Sequence, residues 1–256
     1  MSKPLIFISN DDGVSAPGLA HLISAVSEYG EVVAVAPDSE QSGKASSITV
    51  NAPLRLTQRE SIAGARVYSV NGTPVDCVKL GLHSLFAEGT RPSIMLSGVN
   101  HGSNSGNSVI YSGTMGAVME ACMNGIAAVG FSLLHHSISA DFTHTTAFIK
   151  AITERVLELG LPEEVCLNVN IPAKCVPKGI KVVRAARGYW TEEYARYTDP
   201  HGEPYYWLTG HFHNEEPDND DTDEYWLSRE YVSVVPVRPD QSDVRSIEVV
   251  RDLLCR

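Results

Sequence analysis

Apolar residues recur along this chain in two rhythms. Short unbroken runs alternate with longer stretches in which they return every third or fourth position. PLIFIS, residues 4–9, is a run of the first kind and predicts a buried strand. In PGLAHLISAVSE, residues 17–28, Leu19, Leu22, Ile23 and Val26 fall at helical spacing, Pro17 suits the first turn, and Gly30 stops the helix. EVVAVAP, 31–37, predicts a second buried strand. Such a strand–helix–strand unit implies a parallel pair with a right-handed crossover. The alternation continues: 92–100 predicts strand then loop, 112–125 helix, 126–133 strand, 141–159 helix and 165–172 strand. Buried strands alternating with helices predict an α/β fold, a parallel sheet covered on both faces.

Two segments break the pattern. Residues 44–71 alternate and are rich in β-branched side chains, which predicts a β-hairpin or extension. Residues 187–238 are aromatic and acidic with weak periodicity, which predicts a projecting arm used in subunit contacts. The expected division is a core over 1–186, with its hairpin near 44–71, and a C-terminal arm over 187–256 that returns to the core.

The totals narrow the partners. The chain has 256 residues, a net charge of −11 and 43% apolar residues, enough for a sizeable core. An acidic surface repels nucleic-acid backbones and anionic lipid, so neither a nucleic-acid polymer nor a membrane is an expected partner. A small anion stays possible, because one bound cation inverts the local field. The N-terminal run MSKPLIFISNDDG is broken by acids too early for a signal peptide or a span, and no later run reaches the ~18 apolar residues a spanning helix needs. Five widely spaced cysteines (Cys77, Cys122, Cys166, Cys175 and Cys255) form no CxxC. That argues for reduced thiols, a cytoplasmic location, and against zinc.

Candidate chemistry collects where the strands end. In doubly wound sheets ligands bind outside the carboxyl ends of the strands. Asn10, Asp11, Asp12 and Gly13 follow the first strand. Asp38, Ser39, Gln41, Ser42 and Gly43 follow the second. Ser97, Gly98 and Asn100 follow the strand that starts near Pro92. Asp11 and Asp12 repel each other unless something positive lies between them. Carboxylate, hydroxyl and amide oxygens are hard donors that suit Mg²⁺, Mn²⁺ or Ca²⁺. Asp11 and Asp12 would then supply charge, and Ser42 and Asn100 neutral oxygens. The competing reading is a set of Asp-Gly and Asn-Gly turns.

The segment GVNHGSNSGNSVIYSGTMGAVMEA, 98–121, interleaves glycines with Asn100, Asn104 and Asn107 and runs into Ser112-Gly113-Thr114 at a helix start. A helix N-terminus with exposed N–H groups favours phosphate. Ser112 as an ordinary N-cap is the simpler alternative, and the two are compatible. Neither GxxxxGK[ST] nor GxGxxG is present, which disfavours a P-loop and a dinucleotide. His135-His136 follow a strand and could line a cleft but read better as a solvated pair, and His211 and His213, in the arm, read as surface or interface residues. Residues 215–224, EEPDNDDTDE, fail as a calcium loop at Asp223 and Arg229 and read as a solvated loop.

The pieces SNDDGVSAPGL (9–19), APDSEQSGKASSIT (36–49), NGTPVDCVKLGL (71–82), the 97–121 segment, LNVNIP (167–172) and YVSVVP (231–236) together resemble the SurE family of stationary-phase survival proteins, metal-dependent 5′/3′-nucleotidases. The resemblance implies a Rossmann-like three-layer core. It implies one divalent cation per subunit, Mg²⁺ or Mn²⁺, on Asp11, Asp12, Ser42 and Asn100. It implies hydrolysis of nucleoside 5′- and 3′-monophosphates, with short polyphosphate as a further substrate. It also implies a homodimer or homotetramer built through the arm. On this reading Gly43, Asn104, Ser112, Gly113 and Thr114 hold phosphate oxygens, and Asp11 and Asp12 serve catalysis through the water that the cation activates. Two rivals are weighed. An aspartyl-phosphate phosphatase places its nucleophilic Asp where this chain has Asn10, so a covalent route is disfavoured. A metal-dependent nucleotide sensor without turnover would keep the same site.

Overall fold

The predicted alternation of strands and helices closes into one nine-stranded sheet. A computed structural model describes residues 3–137 and 139–255. The first half contributes β1 (Leu5–Ser9), α1 (Pro17–Val26), β2 (Glu31–Pro37), β3 (Leu56–Gln58), β4 (Arg66–Val70), α2 (Pro74–Ser84), β5 (Ile94–His101), α3 (Gly113–Met123), β6 (Ala128–Leu133), α4 (Thr146–Leu159) and β7 (Cys166–Ile171). The second half adds β8 (Ile180–Val182), β9 (Gly188–Thr191), β10 (Tyr194–Thr198), β11 (Pro204–Leu208), β12 (His211–Asn214), α5 (Asp223–Leu227), β13 (Val232–Val237) and α6 (Ile247–Leu254).

The sheet order is β3-β4-β2-β1-β5-β6-β7-β13-β8. Strands β4 through β7 run parallel; β3 and β13 pair antiparallel with β4 and β7. The expected α/β fold is borne out. The strand order reverses between β1 and β5, and that switch point is where a crevice opens.

Alternation along each strand builds two cores. Ile6 and Ile8 of β1 pack with Leu19, Leu22 and Ile23 of α1 and Ile149 of α4 on one face. Phe7, with Val33 and Val35 of β2, packs against α2 and α3 on the other. Burying side chains on both faces explains the unbroken apolar runs.

Several boundaries move. The hairpin is β3–β4, at the sheet edge, while 44–55 hold no strand. There, one face of the alternation finds no sheet to cover: Ile48 and Val50 are exposed. Residues 98–101, read as loop, continue β5 across a register shift between Ser97 and Asn100. Gly98 has φ +124° there, and a Cβ on it would lie 2.3 Å from the Phe131 carbonyl oxygen. Helix α2 carries Val75, Val78 and Leu82 at helical spacing and is fixed at its start: Thr73 Oγ1 accepts the Asp76 N–H at 3.1 Å and Asp76 Oδ2 accepts the Thr73 N–H at 2.9 Å.

Residues 188–214 form a long two-part hairpin, β9 with β12 at its base and β10 with β11 at its tip. β13 then re-enters the sheet beside β7. Among the described residues no helix is long and apolar enough to cross a membrane.

Asp76 also accepts the Thr49 N–H at 3.0 Å and its hydroxyl at 2.6 Å. Burial alone would raise this carboxyl, but the hydrogen bonds from Thr49 and Thr73 outweigh it and hold it below the usual carboxylate value. A lowered folded value means stability present above the unfolded value of about 3.9 and lost as pH falls through the folded one. Asp76→Ala is therefore expected to lower the unfolding free energy by about 2–3 kcal/mol at neutral pH, leaving three donors stranded. Urea unfolding checks this, and the gap from wild type should narrow below about pH 4.

Candidate active site

The three polar clusters meet at the carboxyl end of the sheet, around Asp11. The parallel register Ser9↔Ser97 carries residues 10–12 alongside 98–101. The Asp11 carbonyl accepts the Gln41 N–H at 2.7 Å, which ties in the loop after β2. The Thr114 hydroxyl donates to Asp11 Oδ1, which ties in the start of α3. Gly113 makes that approach possible: a Cβ on it would lie 2.7 Å from Asp11 Cβ and 2.9 Å from Oδ2.

Asp11 is buried, at 4% exposure. Burial pushes its carboxyl up to about 6; the Thr114 hydroxyl opposes the rise, and the neighbouring Asp12 charge adds to it. Among the described residues no lysine or arginine pairs with Asp11 or Asp12. Asp12 instead meets His101, 3.0 Å from its ring Nδ1. Beside them Asn10 Oδ1 is buried without a partner, while its amide nitrogen donates to the Gly13 carbonyl at 3.0 Å.

The remaining expected ligands are Asn100, in β5 beside His101, and Ser42, in the loop tied to Asp11 through Gln41. Asn100 donates its amide nitrogen to the Gly102 carbonyl at 2.9 Å, which leaves its side-chain oxygen for a ligand. Ser42 is exposed, one residue from Gln41, and its hydroxyl donates to Glu40 at 2.9 Å. Among the described residues no three His, Cys, Asp or Glu side chains converge as a metal cluster. The site offers two carboxylates and neutral oxygens. Hard donors, an uncompensated buried carboxylate and an orphaned amide oxygen fit a hard divalent cation and not zinc.

The expected phosphate contacts are more internally engaged than their sequence indicates. Ser112 Oγ accepts the Met115 N–H at 3.1 Å as the N-cap of α3. Thr114 is spent on Asp11. The Asn104 side chain donates to Ser132 at 2.8 Å, and its backbone N–H donates to Asn170 Oδ1 at 2.8 Å. Gly43, at φ +73°, has open space around it. A cleft of about 230 Å³ opens beside Asp12, lined by Ser15, Pro17, Glu40, His101 and His136. His136 is exposed, and its ring packs where a Cβ on Gly102 would stand, 2.6 Å from Cε1. His135 is exposed beside it in the chain, and His211 and His213 are exposed on β12, at the base of the hairpin.

Sequence reasoning missed two features. His101 follows the expected ligand Asn100 within the 97–121 segment, but its role is not legible there; the pairing of β1 with β5 brings it to Asp12. The acidic run was read as solvated, and its end is not. Asp223 is fully buried and accepts backbone N–H groups of Gly106, Ala186 and Glu224, each at 2.8 Å. Glu224 accepts the Ser105 hydroxyl. Gly106 and Ser105, more than a hundred positions upstream, supply two of those donors, and Ala186 a third, so local sequence could not reveal them. Glu216, in the same run, is held down to about 2 by Arg184, with Arg187 assisting.

A raised carboxyl in the folded chain costs stability as pH rises from its unfolded value, about 3.9, through its folded one. Without divalent cation, Asp11→Asn is expected to stabilise the chain by about 2–3 kcal/mol above the folded value, with the gain vanishing below about pH 4. Thermal unfolding in chelator across that range checks it.

Three comparisons bear on this geometry. The family profile described as "Survival protein SurE" matches residues 6–192. A protein of Christiangramia forsetii named 5′-nucleotidase SurE is 48% identical over 98% of this chain and 96% of its own length. One of Flavobacterium psychrophilum with the same name is 47% identical over 98% of each. The crystal structure of the SurE protein from Aquifex aeolicus superposes with a TM-score of 0.84 at 34% identity, covering 98% of this chain and 99% of that one. With a shared fold, a shared profile over most of its length and near-full-length relatives, this chain belongs to the SurE family.

Proposed function

We propose that the chain is a divalent-metal-dependent phosphomonoesterase that hydrolyses nucleoside 5′- and 3′-monophosphates to nucleoside and phosphate, with short polyphosphate as a further substrate. The observation that carries this reading is the buried Asp11 carboxylate, without a cationic partner, at the start of α3 and the switch point of the sheet. Relatives named 5′-nucleotidase support the substrate class.

Asp11, Asp12, Ser42 and Asn100 would hold one Mg²⁺ or Mn²⁺. When bound, such an ion neutralises phosphate charge and lowers the pKa of water. The chain's own residues do the rest. Thr114 and Gly113 fix the Asp11 carboxylate at a helix N-terminus, where the dipole favours negative charge. Asn104, Ser112 and Thr114 have committed side chains, so they serve phosphate through the loop and helix backbone they hold in place. Gly43 leaves room for substrate beside Ser42. One aspartate of the metal pair would accept the proton of the attacking water.

The core over 1–186 carries this chemistry, and the arm over 187–256 assembles a homodimer or homotetramer. The hairpin tip supports that role: Tyr194, Trp207 and Leu208 are 67%, 63% and 70% exposed. The α6 side chains Val249, Leu253 and Leu254 are exposed too. Five free cysteines suit a reducing cytoplasm.

Phosphate release from AMP and 3′-AMP should require Mg²⁺ or Mn²⁺, vanish in chelator and fall at least 100-fold in Asp11→Asn, the order expected when a central charge-stabilising group is lost. Nucleotide binding without release would replace the enzyme with a sensor.

A further inference from the structure

We infer that His101 is a positioning residue for the cation site, fixing the Asp12 carboxylate through one of its two oxygens. The inference rests on the cation-binding reading above and adds a residue to it.

Two donors of His101 converge on Asp12 Oδ2: the backbone N–H at 3.2 Å and ring Nδ1 at 3.0 Å. Both side chains are largely shielded, at 9% and 11% exposure. That arrangement commits Oδ2 and leaves Oδ1 for a ligand. The ring itself is held from behind. Its edge meets the Phe142 ring at 5.1 Å and 88°, and Phe142 lies against His21 at 5.6 Å. Phe142 is 5% exposed, so the support is part of the core.

The other ring nitrogen makes the assignment specific. Nε2 is buried and has no hydrogen-bond partner among the described residues. A buried polar atom without a partner is unfavourable, and an apolar ring would fill the same space without that penalty. An imidazole that serves only as packing is therefore poorly explained. One that is needed for its Nδ1–H is well explained. Groups that aim a metal-site carboxylate set its affinity although they do not touch the ion.

The test is Mn²⁺ binding to the nucleotide-free protein by titration calorimetry at one pH, on wild type, His101→Phe and His101→Asn, with thermal unfolding of each in chelator. Phe keeps a ring against Phe142 and removes the donor; the Asn amide nitrogen stands in for Nδ1. His101→Phe should weaken Mn²⁺ binding about 10-fold or more with its unfolding midpoint held, and His101→Asn should recover most of the affinity. Equal Mn²⁺ affinity in wild type and His101→Phe overturns the inference alone. Loss of affinity in both variants in step with a lowered midpoint overturns it by making His101 a packing residue. A wild type that binds no Mn²⁺ overturns the cation site and this inference with it.

Discussion

The site is organised around one buried carboxylate. Asp11 lies two residues past the end of β1, and its main chain and side chain reach different elements. Its carbonyl takes the Gln41 N–H, and its carboxylate takes the Thr114 hydroxyl. The loop after β2 and the start of α3 are thereby fixed to the same residue. Gly113 is the geometric condition, since any side chain there would collide with the carboxylate. A charge so placed opposes folding of the bare chain, as burial does to any unpaired ion. Proteins accept such local conflict at functional positions, where a ligand supplies the missing partner.

The fold supplies a rigid frame for that conflict. The switch point between β1 and β5 opens the crevice, and buried strands on either side set its floor. The register shift in β5, with Gly98 closely packed against β6, brings Asn100 and His101 to the crevice wall. Bulges of this kind re-aim side chains next to sites. The short capping box of α2 has a related task. Through Thr49 and Asp76 it ties down the chain that leaves the Ser42–Gly43 loop.

The arm is joined to the site at its root. Asp223 and Glu224 hold Gly106 and Ser105, in the loop that runs toward α3. Asn107 donates to the Gly188 carbonyl at the base of the hairpin. The Phe212 ring fills the space a Cβ on Gly106 would take, 2.7 Å from Cζ. The glycine- and asparagine-rich loop is therefore ordered by residues that follow it by about eighty to a hundred and twenty positions, whereas the hairpin tip stays exposed.

Sequence by itself determined the alternation of buried strands and helices, because burial on both sheet faces demands unbroken apolar runs and helix faces demand a 3.6-residue rhythm. It also determined the oxygen-rich clusters near the strand ends, because Asp11-Asp12 and Asn100 follow apolar runs that are visible in the sequence. The edge placement of β3–β4 and the return of β13 beside β7 were decided by tertiary structure, because long-range pairing leaves no mark in local periodicity. The same holds at the site. That Asp11 is buried against Thr114, that His101 reaches Asp12 and that Asp223 lies inside the molecule are all contacts between distant segments. A residue's type states which bonds it can make; only the packed sheet states which partners come within reach.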